Sequence, residues 1–260
     1  MILSTLGSVM GVLSPHFSLP VGGGAAEFII LRWLHFIFGT IWIGLLYFFN
    51  LVGFATMKQI DAAARAKIYP VMMSHAMAWF RWSALITIVV GVRYYIHLLI
   101  VDAHNAGDPS LTLKWLGCWV VVWLAAYALI YRLQLPRDGI SDSVWVRAIA
   151  IAAIVIAASW VVLELNGGAD VSNAHLCISV GGGLGFLMVM NTWGVVWRVQ
   201  KKLIIWTREN AEQGTPMPPQ APRLARWSFL ASRVGFWLSF PMLFFMGAAE
   251  HYPFISSIGR

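Results

Sequence analysis

Charge is what this chain has least of: Asp, Glu, Lys and Arg together make up 11% of its 260 residues, against 59% hydrophobic ones. That balance excludes an ordinary soluble domain and, equally, the polar composition of a disordered chain. Cysteine is almost missing. Cys118 and Cys177 are the only two, they lie in separate apolar stretches, and no CxxC or CxxCH occurs. A clustered zinc site and covalently attached c-type haem are thereby excluded, and buried free thiols are expected in preference to a disulfide. Lys and Arg are absent from the first 25 residues, which Pro15, Pro20 and Gly22 to Gly24 interrupt. Without a charged n-region these residues do not read as a signal peptide, and 1–25 is expected to be a periplasmic segment leading into the first helix. No GxSxG, Walker loop or HExxH is present, and no internal repeat at a fixed period. The sequence therefore carries no sign of a serine hydrolase, a P-loop nucleotide site or a zinc protease.

Long apolar runs are what the chain has instead. About 20 apolar residues are needed to cross the hydrocarbon core, and six segments meet that length, near 26–54, 79–101, 113–131, 146–165, 174–197 and 227–249. The expected fold is an all-α integral membrane protein, a bundle of six transmembrane helices over residues 26–252 with a short tail at 253–260. Cations gather in alternate connections: Lys58, Arg65, Lys67 and Arg81 after the first span, Arg132, Arg137 and Arg147 after the third, and Arg198, Lys201, Lys202, Arg208, Arg223 and Arg226 after the fifth. The positive-inside rule makes these three connections cytoplasmic and places both termini in the periplasm. The opposite side is acidic, with Glu27, Asp102, Asp108, Asp170 and Glu250. The excess of 18 Lys and Arg over 11 Asp and Glu thus follows from topology, and the expected partner is a lipid bilayer, that of a bacterial inner membrane, with no nucleic acid. The longest cytoplasmic connection, 198–226, begins as a basic amphipathic helix suited to the membrane surface and ends as a Pro-rich linker.

Ionisable groups inside a span are costly and usually mark a cofactor or a path. Arg32, His35, Arg93, His97 and Glu164 are such groups. Arg32, His35, Gly39 and Trp42 follow i, i+3, i+7, i+10 and share one stripe of the first span, and Arg93 and His97 share a face of the second. The orientation puts His35, His97, His175 and His251, each from a different span or span end, in the outer half of the membrane. Neutral imidazoles from two helices hold b-type haem, so His35, His175 and His251 are candidate iron ligands, His97 a further haem neighbour, and Arg32 and Arg93 candidate partners for the propionates. The glycine run from Gly181 to Gly185 would admit a macrocycle or a close helix. The plainer reading is that each histidine hydrogen-bonds a neighbouring helix and that the glycines serve packing. Depth leaves the ligand pair open: at a rise of about 1.5 Å per residue His35 lies roughly 12 Å inside, whereas His175 and His251 sit near the boundary. His75 belongs to the cytoplasmic side, and His16 and His104 read as loop residues.

The stretches "LRWLH" with "WIG" at 31–44, "LYFFN" at 46–50, "WFRW" at 79–82, "NTWGVVW" with "QKK" at 191–202, and "LSFPMLFFM" with "HYP" at 238–253, in this order, resemble the membrane domain of bacterial membrane-bound urate hydroxylases. That resemblance implies oxidation of urate to 5-hydroxyisourate, with electrons leaving through c-type haem. In those proteins a cytochrome c domain follows the membrane domain, whereas this sequence carries no CxxCH, so the expected acceptor is a periplasmic cytochrome c or a larger redox membrane complex. The leading expectation is an oxidoreductase of the electron-transfer class that binds haem b. Its rivals are a cofactor-free accessory subunit of a respiratory or oxygenase complex and a small transporter using Arg32 and Glu164.

Overall fold

In hydrocarbon an unpaired backbone N–H or C=O is expensive, so apolar runs of this length close their hydrogen bonds along a helix. The computed structural model describes residues 23–135, 143–168, 171–253 and 255, and six of its helices are long and apolar enough to cross a membrane. Helix α1 covers Gly23–Tyr47 and continues through a π turn, Phe48–Gly53, into Phe54–Gln59; α2 covers Ala62–Asn105, α3 Leu111–Gln134 and α4 Val144–Asn166. Helix α5 covers Asn173–Asn191 and continues through a second π turn, Thr192–Val196, into Trp197–Gln213; α6 covers Ala221–His251. No strand occurs among the described residues. His16, Arg137, Asp170, the expected N-terminal segment up to residue 22 and the tail beyond residue 255 lie outside the described residues.

Two connections differ from expectation. The first does not occupy residues 55–78: α1 runs to Gln59 and α2 begins at Ala62, leaving Ile60 and Asp61 between them. The three alanines after Asp61 are strong helix formers, and the Asp61 carboxylate caps them by accepting the Ala64 N–H at 2.9 Å. Hydropathy falls in this stretch, yet helix propensity does not, so the helix outlasts the apolar run. Likewise the basic segment after the fifth span is no separate surface helix. It continues α5 without a break, and Val199 and Leu203 bury their side chains with Ala221 of α6. Gly214, with φ of 70°, supplies the left-handed cap that ends it. His104, expected in a loop, lies in the last turn of α2.

Helix α5 is the most buried of the six spans and packs on α2, α3, α4 and α6. The glycine run explains how. A Cβ on Gly181 would approach Phe245 Cβ of α6 to 3.1 Å, and one on Gly183 would overlap the Trp123 indole of α3. At Gly181 and Gly183 the run thus serves helix packing, and the space opened there is filled by neighbouring side chains. Cys118 and Cys177 are both free, the latter buried.

Candidate functional site

The Arg32 stripe is explained by what stands opposite it. Arg32 pairs through Nη2 with Glu250 Oε1 of α6 at 2.7 Å, and the same oxygen accepts the Tyr94 hydroxyl of α2 at 3.1 Å. Arg93 of α2 pairs in the same way with Glu27 of α1 at 2.7 Å. Both guanidiniums therefore have carboxylates within the chain, at the end of the bundle where α1 begins and α2 and α6 finish. Lower on α1, His35 Nδ1 lies 3.0 Å from the Thr87 carbonyl, and a Cβ on Gly91 would come within 2.8 Å of its ring. Gly39 faces the Thr87 methyl at 3.7 Å, and Trp42 is buried. The stripe thus runs from a half-exposed ion pair to the core, and α2 fills the room beside Gly39.

A more enclosed cluster lies between α2 and α5. Asp102 Oδ2 meets three groups: the Ser172 N–H at 3.0 Å, the Ser172 hydroxyl at 2.8 Å and His175 Nδ1 at 3.0 Å. Local sequence builds this arrangement. Ser172 caps α5, its Oγ accepting the His175 N–H at 3.2 Å, so the first turn carries its cap and imidazole side by side and presents both to a carboxylate, which helix N-termini favour. Asp102 is 4% and His175 0% exposed. An ionised carboxylate only accepts hydrogen bonds, so Nδ1 donates to it, and in the uncharged form of the ring the lone pair falls on Nε2. That Nε2 is buried and has no hydrogen-bond partner among the described residues.

Around the imidazole stand the rings of Trp115 at 4.9 Å and Tyr95 at 5.8 Å. The Tyr95 hydroxyl lies 2.7 Å from Ser179 Oγ and accepts from Asn166 Nδ2 of α4 at 3.4 Å. Ser179 Oγ donates to the His175 carbonyl at 2.8 Å, and its own carbonyl takes the indole N–H of Trp119 at 2.8 Å and of Trp123 at 3.2 Å. Four helices thus contribute to one buried polar cluster. Chemically it is an imidazole held in one tautomer by a carboxylate, with an open nitrogen and aromatic walls. The same second-sphere geometry orients metal-ligating histidines and poises proton acceptors.

The remaining candidates stand apart from it. His97 packs edge-on against Phe28 of α1, centroids 4.0 Å apart. It is two residues from Tyr95, hence about 200° around α2, on the other side of that helix from His175. His35 meets α2 at Thr87 and Gly91, which a rise of about 1.5 Å per residue places well below Asp102. His251 is exposed at the end of α6 beside Tyr252. Glu164 is exposed near the end of α4, and His75 is exposed on α2. Among the described residues no group of three or more His, Cys, Asp or Glu side chains is arranged to hold a metal ion.

Sequence reading placed Asp102 among the acids of the outer side and passed over Tyr95, Asn166, Ser172 and Ser179. Signals for them exist: Tyr95 and Asp102 are i, i+7 on one helical face, and Ser172 with His175 has the spacing of a cap. Neither spacing says which helix lies opposite.

Comparison with known proteins gives one match. The family described as urate oxidase N-terminal matches residues 60–259. That stretch includes Asp102, Tyr95, Asn166 and His175. No curated protein and no solved structure matches.

Proposed function

Because the chain belongs to the urate oxidase N-terminal family, we propose that it is the membrane-embedded part of a urate hydroxylase-type oxidoreductase, withdrawing electrons from urate or a related small substrate and delivering them to a c-type cytochrome on the periplasmic side. The observation that supports this reading most is the buried Asp102–His175 pair with its unpartnered Nε2.

In a haem b reading His175 would be the one histidine ligand; its imidazole is 0% exposed and walled by Trp115 and Tyr95, so these rings would have to part to admit a macrocycle. His175 offers the lone pair, and no second histidine stands in its described surroundings. When bound, the haem would supply one-electron oxidation and reduction. The protein's own part is narrower. Asp102 keeps the imidazole in the tautomer with Nε2 free. Ser172 fixes the carboxylate. Trp115 and Tyr95 exclude water, and Ser179 ties Tyr95, Trp119 and Trp123 to α5. Arg32–Glu250 and Arg93–Glu27 clamp α1 to α6 and α2 at the same end of the bundle.

Visible spectroscopy of the purified full-length chain tests the proposal. A reduced-minus-oxidised Soret band with stoichiometric iron is expected, lost in His175→Ala and retained in His97→Ala. Urate-dependent reduction of cytochrome c by a preparation with no iron and no such band would sink the haem assignment. Absence of that activity as well would sink the oxidoreductase reading.

A further inference from the structure

At the other end of the bundle α5 carries a groove of about 690 Å³ lined in part by Trp193, Trp197, Arg198, Lys201, Lys202 and Ile205. None of these three cations is ion-paired among the described residues. The groove is built around the second π turn, Thr192–Val196, an irregularity that often marks a functional position in a helix. It is held in place from two sides. The Trp193 indole donates to the Arg81 carbonyl of α2 at 3.1 Å, and the Arg81 guanidinium lies over the Trp197 ring, 3.8 Å from its centroid. Behind the turn Tyr127 of α3 donates to the Met190 carbonyl at 3.1 Å, and its hydroxyl occupies the space that a Cβ on Gly194 would need.

We propose that this groove binds the phosphate headgroup of an anionic phospholipid, with the acyl chains lying along the partly exposed stripe of α5 at Met190 and Phe186 toward the bilayer centre. Three argued features fit that occupant. Cations at i, i+3 and i+4 of one exposed face match a single phosphodiester better than a dispersed acidic surface. Indoles at the same level are at home in the headgroup zone. Clustered cations at a cytoplasmic membrane boundary are suited to anionic headgroups. The positions of Met190 and Ile205 in the lining add apolar surface that free phosphate would not use.

The test is native mass spectrometry of the full chain in detergent, titrated separately with phosphatidylglycerol, phosphatidylcholine, inorganic phosphate and urate. Phosphatidylglycerol is expected to bind in preference to phosphatidylcholine. Lys201→Ala with Lys202→Ala should weaken it about 30-fold, from roughly fivefold for each cation near an anionic lipid. Lys58→Ala with Lys67→Ala removes the same charge at the same end but outside the groove, and should change binding little. Equal weakening by both pairs would mean only a diffuse basic surface and would overturn the proposal. So would equal binding of the two lipids. Displacement of phosphatidylglycerol by inorganic phosphate, or urate binding lost in the Lys201 and Lys202 variant, would assign the groove to a free anion instead.

Discussion

At the scale of single residues, energetics here depend on whether a buried polar atom keeps its partner. Asp102 concentrates three hydrogen-bonding groups on one oxygen, so its two obvious replacements should behave differently. Asp102→Ala leaves Ser172 and His175 facing a cavity and should cost about 3 kcal/mol, read as a lowered unfolding temperature in detergent. Asp102→Asn preserves shape and one acceptor while weakening the hold on Nδ1. It should retain the fold and lose about 10- to 100-fold in substrate-dependent reduction of cytochrome c, the usual effect of removing such a second partner. The Arg32–Glu250 pair is of another kind, with side chains 48% and 41% exposed by the protein itself. A double-mutant cycle with Arg32→Ala and Glu250→Ala should give a coupling of about 1 kcal/mol, and additive losses would show that the pair stabilises nothing.

At the scale of elements, α5 is shaped by glycine and by its π turn. Gly183→Ala places a methyl where the Trp123 indole lies, and Trp123 is held there by the Ser179 carbonyl. Overpacking of this sort costs about 1–3 kcal/mol. The variant should therefore unfold at lower temperature, whereas Gly185→Ala, with nothing within 4 Å of its added Cβ, should be nearly silent. Scanning fluorimetry on the two variants separates a packing role of the run from a general preference for glycine. Displacing Trp123 would break its bond to the Ser179 carbonyl, which also holds Trp119, so disturbance of the His175 surroundings should accompany the loss of stability.

At the scale of the molecule, alternate connections differ in charge, and that asymmetry sets the expected orientation. Single cysteines introduced into a chain freed of Cys118 and Cys177 provide the measurement. Asp108→Cys, between α2 and α3, should react with an impermeant maleimide in intact cells, and Thr215→Cys, between α5 and α6, only after the membrane is opened. Reversed labelling would place the Asp102–His175 cluster at the cytoplasmic end and remove the basis for a periplasmic acceptor. The same reversal would put the basic groove of α5 on the outer leaflet.

Sequence alone determined the number of spans, the helical class and the family, because bilayer thickness demands apolar length and helices satisfy their own backbone within one segment. It also located the costly residues, Arg32, His35, Arg93, His97 and Glu164, and put His175 near a span boundary, since a polar group in an apolar run is visible without any contact. Their partners were decided only by tertiary packing. Glu250 lies more than two hundred residues from Arg32, and Asp102 some seventy from His175, so no local spacing relates them. The helix ends also escaped sequence reading: Asp61 and its alanines continue α2 where hydropathy falls, and the π turn of α5 bends no hydrophobic pattern. What separates His175 from the other three histidines is a carboxylate brought by a neighbouring helix, and that is a property of how α2 and α5 pack together.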